Sequence, residues 1–253
     1  MTTTTPFNAW VTCRRPNPQA GVRLFCFPYA GGGASIFHAW PDELPEEVEV
    51  CAIQLPGREN RLMQPAYSSV APLVAALVEA LRPYLGKPYA FFGHSMGAVI
   101  SFELVRALRE QQEPLPGHLF VSAHRAPHLP DRDAPIYDLL EPEFLQALRQ
   151  LKGTPEAILR HAELLELMLP LLRADFSVAE TYHYMPGHPL SCPISAFGGL
   201  ADEEISQEEL AAWREHTRSI FTLRMLPGNH FFLIAARTAL LRAIAEDLQR
   251  MMA

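Results

Sequence analysis

The chain reads as an α/β protein, a mostly parallel central sheet flanked by helices with a helical insertion, and three observations carry that reading. Short β-prone apolar runs alternate with longer stretches of helical periodicity, the pattern that feeds parallel strands through crossover helices. A G-x-S-x-G sequence, Gly93-His94-Ser95-Met96-Gly97, stands between one such run and one such helix. About 70 residues separate two of the later runs, far more than the dozen or so that a parallel crossover needs.

Taken in order, strands are expected at 22–27, 48–55, 89–92, 119–122, 194–197 and 221–225. Helices are expected over 70–84, 96–110, 208–218 and 231–251, where apolar residues recur near the i, i+3, i+4 spacing. Proline and glycine punctuate most boundaries. The long connection holds leucines at helical spacing (Leu139, Leu140, Leu145, Leu148, then Leu164, Leu165, Leu167, Leu169, Leu171 and Leu172), broken by Gly153-Thr154-Pro155 and by Pro170. It is read as a helical lid inserted at about 130–188 in a single domain of 1–253. Ordinary core helix is the competing reading, because leucine periodicity chiefly reports packing.

An apolar fraction of 49 % against 19 % charged residues lies far from the regime of disorder. The stretch 70–81 is interrupted by Pro72 and Glu79 and falls short of the roughly 20 residues that span a bilayer, so no membrane segment is expected. The threonine run from Met1 to Pro6 has neither a basic nor an apolar region and does not read as a signal peptide, which points to the cytoplasm. Four cysteines, Cys13, Cys26, Cys51 and Cys192, form no C-x-x-C pair, so free thiols are expected rather than a disulfide framework or a zinc site. A formal charge of −7 lacks the basic footprint of a nucleic-acid binder.

A serine hydroxyl is a weak nucleophile until a base takes its proton, so Ser95 needs a histidine and an orienting acid within reach. On a sheet of this kind the chain order is serine, acid, histidine. The strand at 194–197 runs into Gly198-Gly199-Leu200-Ala201-Asp202, and the strand at 221–225 into Pro227-Gly228-Asn229-His230. Asp202 is the candidate acid and His230 the candidate base. The two acidic residues after Asp202, Glu203 and Glu204, leave open that it merely caps a helix. His124, His183 and His188 are alternative histidines; none follows the last strand. His94, beside the serine, is read as a packing neighbour.

A tetrahedral intermediate needs two backbone donors for its oxyanion. One is the Met96 amide. The other is assigned to Ala30, with Tyr29 as fallback, in the early loop Pro28-Tyr29-Ala30-Gly31-Gly32-Gly33-Ala34-Ser35. That loop has neither the lysine of a P-loop nor the G-x-G-x-x-G spacing, which argues against a nucleotide site.

With these residues placed, the chain resembles the type II, or editing, thioesterases of nonribosomal peptide and polyketide synthases, members of the α/β-hydrolase family. The resemblance runs through Phe27-Pro28-Tyr29-Ala30-Gly31-Gly32-Gly33-Ala34, Leu55-Pro56-Gly57-Arg58-Glu59, Phe92-Gly93-His94-Ser95-Met96-Gly97-Ala98, Arg125-Ala126-Pro127, Leu172-Arg173-Ala174-Asp175-Phe176 and Gly228-Asn229-His230-Phe231-Phe232-Leu233. It departs at Asn229, where the family often has glycine or aspartate, and at Ala123-His124, where a glycine commonly follows the serine. The resemblance implies hydrolysis of acyl groups from the phosphopantetheine arm of an acyl or peptidyl carrier protein, with no metal or redox cofactor. A monomer is expected. Arg58, Arg61 and Arg125 are possible contacts for the arm's phosphate or an acidic carrier surface, although surface arginines are usually only solvated. Competing readings are a general carboxylesterase, a serine acyltransferase and a non-catalytic binding module of the same fold.

Overall fold

The computed structural model describes residues 7–130, 132, 134–151, 153 and 161–252. The expected break at Thr154-Pro155 and the threonine run from Met1 to Pro6 lie outside them. Seven strands form one sheet among the described residues: β1 (Val11–Thr12), β2 (Val22–Phe27), β3 (Val48–Ile53), β4 (Tyr89–His94), β5 (His118–Ser122), β6 (Ile194–Gly199) and β7 (Phe221–Leu226). Their order is β1-β3-β2-β4-β5-β6-β7; β2 to β7 are parallel, and β1 pairs antiparallel with the edge of β3 through Val11 opposite Ile53. The two-residue β1 was not expected, since so short a strand carries no alternation to read.

Strands β3 to β6 are buried along their whole length, which is why they read as continuous apolar runs rather than alternating ones. Successive side chains still divide between two layers. Phe25, Phe91, Leu119 and Ala196 face a core shared with α1 (Val70–Leu81) and α2 (Met96–Glu110), while Leu24, Phe92, Phe120 and Phe197 face the other layer.

The helix expected to reach residue 84 ends as α1 at Leu81 and tightens into a 3-10 turn over Arg82–Tyr84; Pro83 has no N–H to continue the ladder. After β6 comes α5 (Gln207–Ala211), opened by a capping box between Ser206 and Glu209 and continued as a 3-10 turn over Ala212–His216. The helix expected over 231–251 is two helices, α6 (Phe232–Ala235) and α7 (Arg237–Met252), divided at Ala236 (φ −106°, ψ 26°). No breaker marks that point, so the bend is set by packing.

Between β5 and β6 lie α3 (Glu141–Leu151) and α4 (Ala162–Glu180). They share a small core of their own, built on Phe144, Leu148 and Leu172. Pro170 does not break this segment: it lies inside α4, whose following turns bury Leu171, Leu172, Asp175 and Val178. Burial of that face offsets the lost backbone bond. Polar anchors tie the helices down. Glu180 accepts from the Ile136 and Tyr137 amides, Arg173 donates to Tyr137 O and lies 4.4 Å from the Phe144 ring centroid, and Ser177 Oγ donates to Ser68 O.

Candidate active site

Strand β4 ends at His94 and α2 begins at Met96, so Ser95 alone makes the turn, with φ 53° and ψ −119°. That backbone is strained for a residue with a Cβ, and such strain concentrates at functional positions. Two close approaches hold it. A Cβ on Gly93 would run into the carbonyl of Gly97, and one on Gly97 into the carbonyl of Phe27. The Ser95 amide donates to Ser122 O at the end of β5 (2.8 Å).

His230 and Asp202 come from neighbouring loops at the same end of the sheet. Gly199, where a Cβ would strike the carbonyls of Gly228 and Asn229, lets the β6 and β7 loops meet, and the Ala201 amide donates to Gly228 O (2.8 Å). His230 Nδ1 donates to Asp202 Oδ2 (3.0 Å), while Asp202 Oδ1 accepts from the amides of Glu204 (2.9 Å) and Ile205 (3.3 Å). Glu204 Oε2 lies 3.8 Å from the same histidine nitrogen. Burial pulls the His230 pKa down, but the bond to Asp202 and the charges of Glu204 and Asp202 outweigh it and leave it above the ordinary 6.5. Asn229 closes an Asx turn on the Phe231 amide (3.0 Å), supporting the histidine loop by a bond that glycine would lack. The other departure, Ala123, takes φ 51°, a conformation in which glycine is easier.

Ser95 and His230 face one cavity of about 70 Å³, lined also by Tyr29, Ala30, Met96 and Phe231 and roofed by Leu148, Leu151 and Gly153 of the α3 side and Phe176 and Ala179 of α4. The structure thus brings Ser95, His230, Met96 and Ala30 to one space, with Asp202 behind His230. The insertion covers it. His124 and His183 instead line a separate groove beside the end of α4.

Behind the base sits His94, fully buried, its ring centroid 5.5 Å from that of His230. Its Nδ1 bonds Ser122 Oγ (2.8 Å), and its Nε2 has no partner among the described residues. Burial, with His230 close by, drives its pKa well below the ordinary value, so it stays neutral and does not compete for the proton.

The arginines require a correction. Arg58 is buried and forks onto Asp175 of α4 through two 2.7 Å bonds. Arg61 is buried too, donating to Gln54 O and Gln64 Oε1 and lying 4.1 Å from the Trp10 ring centroid. Both are committed to these internal partners rather than standing solvated at the surface. Arg125 donates to Pro130 O and lies 3.7 Å from Glu209 in the groove with His124. Sequence reasoning missed Asp175, although Arg58 and Asp175 each sit in a segment on which the resemblance rests. It also missed Glu59, whose Oε1 accepts from the Ser35 amide and hydroxyl and braces the glycine loop.

Comparison with known proteins points to one family. The family model described as thioesterase domain matches residues 22–248. Gramicidin S biosynthesis protein GrsT of Aneurinibacillus migulanus is 44 % identical over 253 residues, covering 100 % of this chain and 99 % of that protein. Thioesterase PikA5 of Streptomyces venezuelae is 42 % identical over 226 residues, covering 88 % of this chain and 80 % of that one. The solved structure of the type II thioesterase BorB from the borrelidin biosynthetic cluster superimposes with a TM-score of 0.87 at 37 % identity, covering 99 % and 100 % of the two chains. The chain therefore belongs to the thioesterase family and is a hydrolase of thioesters with an α/β-hydrolase fold.

Proposed function

We propose that the protein releases acyl groups from the phosphopantetheine thioesters of acyl or peptidyl carrier proteins, clearing stalled or misprimed modules of a polyketide or nonribosomal peptide synthase. The observation that carries this reading is the strained serine sharing a roofed cavity with an acid-paired histidine, in a chain alike over its whole length to a gramicidin S biosynthesis protein.

Ser95 Oγ attacks the thioester carbonyl as His230 takes its proton; Asp202 holds the ring and offsets the imidazolium charge. The Met96 and Ala30 amides receive the oxyanion, each contributing on the order of 3 kcal/mol to the transition state. Collapse expels the pantetheine thiolate, which His230 reprotonates, and leaves an acyl group on Ser95. A water that gives its proton to His230 then attacks the ester, and the acid departs as Ser95 recovers its proton. The steps draw on no metal and no redox cofactor. With a formal charge of −7 on the chain, approach to an acidic carrier gains nothing from long-range steering and depends on local contact.

The test is release of short acyl groups from a loaded carrier protein, set against the same groups on simple oxygen esters. Faster release from the carrier thioester supports the reading. Equal or better turnover of oxygen esters, with no carrier preference, would replace it with a general esterase.

A further inference from the structure

The glycine loop and the roof are joined at one buried point. Asp175, on α4, is 1 % exposed, and its Oδ2 accepts from both the Gly31 amide (2.7 Å) and Arg58 (2.7 Å), while Oδ1 accepts from the second Arg58 nitrogen (2.7 Å). Arg58 itself is 4 % exposed and also donates to Gly32 O (2.8 Å) and Pro56 O (3.3 Å). Three distant segments therefore meet on one ion pair: the glycine loop, the loop after β3, and the inserted helix. Leu172, one turn earlier on α4, closes over Gly31, where a Cβ would come within 2.7 Å of its side chain.

The ion pair grips the turn that aims the Ala30 amide. Residues 29–32 form a β-turn in which the Gly32 amide donates to Tyr29 O (2.9 Å) and Gly31 takes φ 78°, the left-handed value that a type II turn demands of its third residue. With Tyr29 O pointing into the turn, the trans peptide directs the Ala30 N–H outward. The Gly31 amide and Gly32 carbonyl, which fix how the turn is tilted, are the groups held by Asp175 and Arg58.

We propose that Asp175 and Arg58 are positioning residues for the oxyanion hole, so that seating the inserted helix and assembling the hole are one event: with α4 lifted, the Ala30 amide loses its aim and the acylation step stalls. This rests on the reading of Ser95 and Ala30 given above. A charged pair with forked geometry suits the task, because its bonds are short and directional, while its net contribution to stability can be small or even unfavourable once desolvation is counted. A role in stability alone is thus a poor reason for burying it.

Removing one partner strands a buried charge and unfolds proteins for trivial reasons, so both are replaced together in Arg58→Met/Asp175→Leu, which keeps volume and removes both charges. Folding is checked by thermal melting. The expected result is a melting temperature near that of the wild type, a kcat on acyl thioesters roughly 100-fold lower with KM little changed, and a matching loss of affinity for a trifluoromethyl ketone, which adds to Ser95 as an oxyanion. Binding of the corresponding thioether, which forms no oxyanion, stays within about threefold. Arg58→Met/Asp175→Asn, which restores a carbonyl acceptor for the Gly31 amide, recovers about tenfold or more of the lost kcat. Wild-type kcat in a folded Met/Leu variant, or a loss confined to KM, overturns the proposal. Ser95→Ala is measured alongside: if it is inactive while the Met/Leu variant is fully active, this inference alone falls, and if both keep wild-type rates the reading of the site falls with it.

Discussion

Two clusters of serine, histidine and aspartate lie among the described residues, and of these two the first alone has the form of a hydrolytic site. In the first, His230 stands beside Asp202 and faces the cavity with Ser95. In the second, near the opposite end of the strands, His118 Nε2 donates to Ser195 Oγ (2.9 Å), Ser195 Oγ donates to Asp247 Oδ2 (2.7 Å), and Arg224 forks onto Asp247 with two 2.8 Å bonds. The second cluster is the more completely hydrogen-bonded. It has the wrong order, because serine and not histidine is the middle member, and the hydroxyl proton is already committed to Asp247. Ser195 is 1 % exposed on an ordinary strand, and burial pushes the His118 pKa down to about 4, which makes a poor base at neutral pH. His230 is shifted the other way. Composition and proximity are common to both; what differs is the strained turn, the cavity and the sign of the shift on the histidine.

Breaking the serines gives the largest contrast. Ser95→Ala should lower thioester turnover by on the order of 10⁴-fold or more with the melting temperature little changed, since alanine keeps the Cβ that strains the turn. Ser195→Ala should leave turnover within about twofold and instead lower the melting temperature, since it leaves buried Asp247 short of a donor. Kinetics and calorimetry on the two proteins check this, and an inactive Ser195→Ala of normal stability would count against the distinction.

The acids follow. Asp202→Asn should cost kcat on the order of 10³- to 10⁴-fold by presenting the wrong histidine tautomer, whereas Asp247→Asn should cost stability through its broken pair with Arg224.

The histidines sharpen the comparison by pH. His230 must be neutral to accept the serine proton, and its pKa is raised, so kcat/KM should fall on the acid side with a midpoint above 6.5. Glu204→Gln removes one of the charges that raise it and should move that midpoint to lower pH; an unmoved acid limb would assign the limb to another group. For His118 the sign is opposite. Between pH 6.5 and about 4 the unfolded chain binds a proton that the folded ring refuses, so stability falls as pH drops through that window. His118→Gln should flatten the slope of melting temperature against pH. His216, also lowered to about 4, adds to the same slope and keeps it from vanishing.

The smallest effect concerns the roof. Leu151 lines the cavity and is half-buried, and Leu151→Ala should shift the profile of kcat/KM toward longer acyl chains by about tenfold, the low end of the roughly 1 to 3 kcal/mol that one methylene is worth in a fitted pocket.

Much of the site could be read from the chain because its strongest constraints are local. Gly93 and Gly97 bracket Ser95 within five residues, and Gly199 and Gly228 each stand within three residues of the side chain that they help to place. Strands β2 to β7 were legible for the same reason, each being an apolar run bounded by turn residues. What escaped depends on contacts between segments far apart. Arg58 and Asp175 are 117 residues apart, and a lone arginine in the sequence looks like any solvated one. The division between α6 and α7 falls at an alanine, a good helix former, so nothing in the local sequence marks it. Pro170 misled in the opposite sense, since the burial that tolerates it belongs to the folded insertion.

Nucleophilic catalysis by Ser95 requires that the acyl group be carried on that residue. The most direct measurement is rapid acid quenching of the protein during turnover of an acyl thioester, followed by mass spectrometry of the intact chain and its peptides. An added acyl mass confined to the peptide bearing Ser95, absent in Ser95→Ala and built up in the slow Asp202→Asn variant, is the predicted result. Undiminished hydrolysis by Ser95→Ala, or the acyl mass on any other residue as a kinetically competent intermediate, would contradict it.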